Sequence, residues 1–178
     1  MHIAYIGMGA NLDSPAGAPA ATLAAAAEQL ALLGSIVARS SLYSTAPVGI
    51  REQPRFVNAV VAIETGCAPR ALLLSLLAIE KEFGRDRARG VPNGPRTLDL
   101  DLLLLGDVVL HEADLDLPHP RLAERAFVLV PLHEIAPQRI EPRSGRTIAT
   151  LLGALMTDRA EEVRTVLRIA DRRWPETR

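Results

Sequence analysis

The sequence is poor in the residues that staple or anchor small proteins. Cys67 is the one cysteine among 178 residues. An internal disulfide is excluded, and a lone thiol fits a reducing compartment, with the side chain expected buried and inert. Aromatic residues are 3% of the chain, so any ring-stacking site rests on a few nameable positions. Lysine is nearly absent: Lys81 stands alone among 20 basic residues, the others being arginine. No Gly-x-x-x-x-Gly-Lys loop exists, so phosphate chemistry must run on arginine, backbone amides and metal. Cys-x-x-Cys, His-x-x-x-His and Gly-x-Ser-x-Gly are all missing, which argues against a zinc site and a serine hydrolase. No apolar run approaches the roughly 18 residues of a membrane span. The opening Met1-His2-Ile3-Ala4-Tyr5 has no basic n-region and does not read as a signal peptide. Net charge is −1, from 20 basic and 21 acidic residues. That leaves no bulk attraction for nucleic acid or a membrane surface, and a cytoplasmic protein is expected.

What is present is ordinary for a soluble domain: 48% apolar and 23% charged residues, enough for one core. Ile3 to Met8 reads as a buried strand. Gly7-Met8-Gly9-Ala10-Asn11-Leu12 starts like a dinucleotide fingerprint but lacks its third glycine, so a plain strand-to-helix turn is the reading. Helices are expected over 19–33, opened by Pro19 and stopped by Gly34, and over 69–83, opened by Pro69 and stopped by Gly84. Strands are expected over 35–45, bent at Ser40-Ser41, and over 56–65. The segment 97–105 reads as a strand, with a Gly106-Asp107 turn to a partner strand over 108–110. A short helix is expected from Pro118 through Arg125 and another over 147–155. The run 127–132 is helix or strand, 163–169 a weak strand, and 171–178 a frayed tail. Interleaved helices and hairpins give an α+β domain over 1–170 with a mainly antiparallel sheet.

The strongest chemical signal is Asp99-Leu100-Asp101. On a strand, Leu98, Leu100 and Leu102 face the core while Asp99 and Asp101 share the other face. Two carboxylates that close repel each other unless cations lie beside them. Hard oxygen ligands suit Mg²⁺, which is held by one or two carboxylates plus substrate phosphates. A bare Asp-x-Asp is more often a solvent-facing edge, but the flank changes the weighing. Arg85, Arg87, Arg89 and Arg96 stand against Asp86 in a loop bearing two glycines and two prolines. Such a positive loop beside two acids suits a polyphosphate. A second set, Thr45-Ala46-Pro47-Val48-Gly49 with Phe56-Val57-Asn58, can build a flat heterocycle site: Asn58 donates and accepts, and Phe56 stacks. A third is His119, Arg121, Arg125 and Phe127. Each of the last two sets, taken alone, also reads as a turn and core packing.

Together these blocks resemble one family, the 6-hydroxymethyl-7,8-dihydropterin pyrophosphokinases of folate biosynthesis. Gly94-Pro95-Arg96-Thr97-Leu98-Asp99-Leu100-Asp101 is the most specific match. Gly9-Ala10-Asn11-Leu12, Ser41-Leu42-Tyr43-Ser44-Thr45, Gln53-Pro54-Arg55-Phe56-Val57-Asn58, Pro118-His119 and Arg125-Ala126-Phe127 accompany it in the family's order. The resemblance implies a ferredoxin-like α+β fold and transfer of pyrophosphate from ATP to the pterin hydroxymethyl group, releasing AMP. It implies that Asp99 and Asp101 bind two Mg²⁺ ions, and that Arg85 and Arg96 act with them in catalysis. By the same resemblance Glu80, Arg87, Arg96, His119 and Arg125 bind ATP. Thr45, Pro47, Val48, Phe56, Asn58 and Phe127 form the pterin pocket, the two phenylalanines sandwiching the ring. A monomer is expected, with no nucleic-acid or membrane partner. Departures from the family pattern fall at Phe56, where some members have Tyr, at Ala46, and at Asn93, where some place Trp. A two-metal nucleotidyl transferase and a non-enzymatic ferredoxin-like binding module are the alternatives. Pterin- and metal-dependent AMP formation discriminates both.

Overall fold

A computed structural model describes residues 1–50, 52–88 and 91–174 of the chain. Its frame is β1 (His2–Ala10), α1 (Pro19–Leu30), β2 (Ser35–Arg39), β3 (Leu42–Thr45), β4 (Phe56–Thr65), α2 (Pro69–Glu82) and β5 (Asp99–Leu105). The strands form an antiparallel sheet in the order β3-β4-β1-β5, with β2 also on β4, and β10 (Leu167–Ile169) extending it beyond β3. Strands β2 and β3 are one bent path along β4, so the order is that of a ferredoxin-like fold. Both long helices carry proline in their first turn, where its missing N–H costs nothing.

Alternation along the strands sorts side chains between two cores. Ala4, Ile6, Met8, Ala59, Val61, Ile63, Leu100 and Leu102 pack under α1 and α2 with Leu23, Leu30, Leu72 and Leu76. On the opposite face, Val60, Leu103 and Leu104 pack against α3 (Ala126–Ile135) and α4 (Ile148–Asp158). Leu102 pairs with Ile6 and Leu104 with Tyr5, so Leu103 is the extra residue of a bulge. A bulge inserts one unpaired residue, which puts two consecutive leucines, Leu103 and Leu104, in the second core. The helices of this second layer cover only part of their face.

Four expectations change and one open reading is settled. Residues 110–111 do not pair with β5. They form β6 (Leu110–His111), bonded to β7 (Asp116–Leu117). The outer edge of β5 is already occupied: Leu100 N–H donates to Glu80 (2.8 Å), Leu98 C=O accepts from Arg85 (2.8 Å), and Leu103 C=O accepts from His119 N–H (2.9 Å). The ambiguous run 127–132 is helical, as part of α3, and buries Val128, Leu129 and Leu132. Residues 160–164 are a helical turn, α5 (Ala160–Arg164), and only 167–169 are strand. The tail does not fray from Asp171. Trp174 is 4% exposed, its indole N–H donates to Ser40 C=O (2.7 Å), and Arg39 lies over its ring. A buried indole with its donor satisfied fixes the segment to the sheet, so the packed domain reaches Trp174. The remaining tail, 175–178, lies outside the described residues, as does Arg89 of the arginine loop. The short helix expected from Pro118 through Arg125 is reduced to a 3-10 turn at Leu122–Glu124, and the remaining element is the hairpin β8 (Ile140–Glu141) and β9 (Arg146–Thr147).

Candidate active site

The part of the sheet left bare by α3 and α4 carries the polar residues. Register fixes their positions. Gly9 of β1 is opposite Asn58 of β4 on one side and Asp99 of β5 on the other. Gly7 is likewise opposite Asp101. Asn58, Asp99 and Asp101 therefore stand on one face with two glycines between the strands that bear them. Glycine at position 9 leaves room for the amide: a Cβ there would lie 2.8 Å from Asn58 Oδ1 and push that side chain aside.

A cavity of about 360 Å³ opens over this row. Thr45, Val48, Phe56 and Asn58 line one end, and Asp99 and Asp101 the floor. Arg85, Arg87, Arg96, His119, Arg121, Arg125 and Phe127 complete its wall. A larger hollow of about 420 Å³ lies behind the arginine loop. It lacks both aspartates and both phenylalanines, so the acid–heterocycle chemistry belongs to the smaller cavity. Two expected residues stand apart. Pro47 is absent from the cavity wall, though Ala46 and Val48 on either side of it are on that wall. Glu80 is 1% exposed and sits behind Arg87.

Each aspartate is held by arginine. Asp99 accepts from Arg85 (2.8 Å) and pairs with Arg96 (3.4 Å). Asp101 pairs with Arg125 at 3.3 Å. Glu80 takes Arg87 bidentately, at 2.7 and 2.8 Å, while also accepting from the β5 backbone. Bidentate pairs fix a guanidinium plane, so Glu80 aims Arg87, and its hydrogen bond raises the Arg87 pKa. Burial lowers the Arg125 pKa, and Asp101 opposes that. Burial also pushes His119 below its ordinary value, against the attraction of Asp101.

The heterocycle end is aromatic and hydrogen-bonding. Phe56 is 7% exposed, with the Arg96 guanidinium 5.0 Å from its ring centre. Arg125 stands 5.4 Å from the centre of Phe127. Asn58 Nδ2 donates to Thr45 Oγ1 (2.7 Å), which leaves the amide oxygen beside Gly9 as an acceptor for a ligand.

Three contributors have no role assigned by the resemblance. Asn11 is 4% exposed, accepts from Arg96 N–H (2.8 Å) and donates to Gln53 (3.0 Å) and to Pro54 C=O (3.0 Å). Gln53 in turn donates to Asn93 C=O (2.9 Å). These bonds join the 46–55 loop to the arginine loop. Both residues stand inside blocks of the resemblance, but nothing in their spacing reveals a long-range bond. Arg121 is the third.

Comparison with known proteins follows the same line. The family model described as "7,8-dihydro-6-hydroxymethylpterin-pyrophosphokinase (HPPK)" matches residues 5–137. The chain is 44% identical over 153 residues to the 2-amino-4-hydroxy-6-hydroxymethyldihydropteridine pyrophosphokinase of Synechocystis sp., covering 85% of this chain and 75% of the relative. It is 45% identical over 150 residues to the protein of the same name from Pseudomonas aeruginosa, covering 84% and 90%. Among solved structures, wild-type Plasmodium falciparum HPPK-DHPS with pteroate superposes with a TM-score of 0.71 at 15% identity. That match covers 96% of this chain and 48% of the other. The chain thus spans about half of that larger protein, and the likeness concerns the fold.

Proposed function

The chain belongs to the 7,8-dihydro-6-hydroxymethylpterin-pyrophosphokinase family, and from that premise we propose how its own residues divide the family's work. The reaction transfers pyrophosphate from ATP to the hydroxymethyl group of 6-hydroxymethyl-7,8-dihydropterin in folate biosynthesis. The observation that carries the assignment is the row Asn58–Gly9–Asp99 across three strands. It brings a heterocycle site and an acid pair together over one glycine.

The pterin stacks between Phe56 and Phe127, with its edge on Asn58 and Thr45 and with Val48 closing over it. Arg96 now stands on Phe56 and shifts toward phosphate as the ring enters. Asp99 and Asp101 suit two Mg²⁺ ions: they are hard oxygen donors on one face, and their side chains are 22% and 29% exposed to the cavity. Two carboxylates alone leave most of an octahedral shell to phosphate oxygens and water, which is how Mg²⁺ is held. When bound, the ions neutralise phosphate charge and favour ionisation of the hydroxymethyl oxygen. Arg85, Arg87, Arg96 and Arg125 supply bidentate donors to the triphosphate.

The nucleoside lies in a groove of about 380 Å³ along the outer edge of β5. That groove shares Arg87, Asp101 and His119 with the cavity and has Leu73, Leu77, Leu102 and Leu115 on its walls. In the transfer, the hydroxymethyl oxygen bonds to the β-phosphorus and the bond from that phosphorus to the α–β bridging oxygen breaks. AMP departs with the bridging oxygen, and the hydroxyl proton is released. Little covalent work falls to the protein; it positions and neutralises. Arg85 and Arg96 follow the charge as it moves, and the arginine loop shields the site once nucleotide is bound. A cytoplasmic monomer completes the proposal; the single free cysteine suits a reducing compartment.

The test is incubation with ATP, Mg²⁺ and 6-hydroxymethyl-7,8-dihydropterin, with AMP followed by chromatography. AMP formation that needs both pterin and metal, abolished by EDTA, is the expected result. A folded protein that binds nucleotide yet makes no AMP overturns the reading.

A further inference from the structure

Five guanidinium groups line the cavity that holds the aspartate pair: Arg85, Arg87, Arg96, Arg121 and Arg125. Four of them have a carboxylate partner. Arg85 and Arg96 share Asp99, Arg125 takes Asp101, and Arg87 takes Glu80. Among the described residues, Arg121 has no carboxylate within salt-bridge distance. Its backbone is fixed: Pro120 precedes it, its N–H donates to His119 Nδ1 (3.1 Å), and its C=O accepts from Glu124 N–H at the following turn. Its side chain is exposed. It stands close enough to His119 and Arg125 for its charge to disfavour a proton on either.

We propose that Arg121 is a further phosphate-binding residue of this enzyme, the cation of the site that no carboxylate of the described residues pairs and which therefore draws the nucleotide's polyphosphate. The inference rests on the pyrophosphokinase reading and deepens it. Position decides between the two substrates. Arg121 lines the cavity that holds the aspartates but not the groove along β5, so it faces phosphate rather than nucleoside. The pterin is a neutral ring gripped at the far end by Thr45, Phe56 and Asn58, and it gains nothing from a full charge. A polyphosphate does, because hydrogen bonds to ionised partners are about twice as strong as neutral ones. Each of the four paired arginines already faces a carboxylate that offsets part of its charge. Arg121 gives up only water.

The test uses Arg121→Ala, Arg121→Lys and Arg121→Glu in the full chain. Binding of α,β-methylene-ATP with Mg²⁺ is measured by calorimetry across ionic strengths, alongside steady-state KM for ATP and for the pterin. In Arg121→Ala, nucleotide affinity falls about ten-fold, the size of one charge-assisted hydrogen bond. The salt dependence of binding becomes shallower, and the pterin KM stays within about two-fold. Arg121→Lys recovers part of the affinity and Arg121→Glu falls below Ala. Unchanged nucleotide affinity and salt slope in Arg121→Ala overturn the proposal, as does a loss confined to the pterin KM. The analogue readout needs no turnover. A wild type that binds the analogue and loses it through Arg121→Ala, yet makes no AMP, keeps this role while refuting the pyrophosphokinase reading.

Discussion

The two faces of the sheet are built by the same strands and do opposite work. Under α1 and α2 the strands present Ala4, Ile6, Met8, Val61, Ile63, Leu100 and Leu102, all at most 4% exposed. One residue along, the same strands present Gly7, Gly9, Asn58, Asp99 and Asp101, with only the first turn of α3, at Phe127 and Val128, beside them. A strand's period of two lets one segment serve both faces without compromise. Both faces carry a packed core, but the second gives way beyond α3 and α4 to the acid pair, two glycines and cationic loops. The site exists because the second helical layer stops short of the acid pair.

If that division holds, substitutions on the two faces separate activity from stability. The largest effect is expected at the floor of the cavity. Asp99→Ala or Asp101→Ala should cut kcat by about 10²–10³-fold or more, as loss of a transition-state charge partner does, with little change in melting temperature. A variant that stays active, or one that loses its fold together with its activity, breaks the comparison. Leu23→Ala probes the other face. Leu23 is 0% exposed under the sheet, so about 2–5 kcal/mol of stability should be lost. Urea titration reads that loss, and kcat per folded molecule should stay near the parent value. Gly9→Ala falls between. Its Cβ would press on Asn58 Oδ1 at 2.8 Å, which should raise the pterin KM several-fold while leaving the KM for ATP almost unmoved. An equal rise in both would show that Gly9 serves the sheet rather than the pocket.

The covered face was readable because it follows periodicity. Apolar alternation in 56–65 and 97–105, with proline and glycine punctuation, placed the long strands and both long helices within a few residues. The acid pair was readable from a spacing of two. What escaped was non-local. Nothing in 108–117 shows that the edge of β5 is filled by Glu80, Arg85 and His119, which sends β6 to β7 instead. Glu80 is expected at the nucleotide, yet it is buried, accepting from Leu100 N–H and from the Arg87 guanidinium. Trp174 reads as the end of a polar tail because its partner, Ser40, is 134 residues away. Asn11 and Gln53 are short polar residues whose bonds cross three loops. The β5 bulge at Leu103 is invisible in a run of four leucines.

The smallest effect lies in a titration that the bare face imposes and the covered face does not. His119 stands at the junction of cavity and groove. Burial depresses its pKa below the ordinary 6.5; Asp101 opposes the shift, while Arg125 and Arg121 add to it. In the unfolded chain the imidazole takes its proton near 6.5, before the folded protein does. Between those two values the unfolded state binds more protons, so stability falls as pH drops. The loss begins near pH 6.5 and levels off once the folded-state group also protonates. Urea unfolding of the parent and of His119→Asn at pH 7.5, 6.5 and 5.5 reads this directly. The variant should show a flatter dependence over that window and match the parent's slope above it. Identical slopes would mean that the imidazole is as easily charged in the fold as in water, and that the junction is wetter than its packing implies. A flatter slope confined to His119→Asn, and absent from Leu23→Ala, assigns the cost of acidification to the face that does the chemistry.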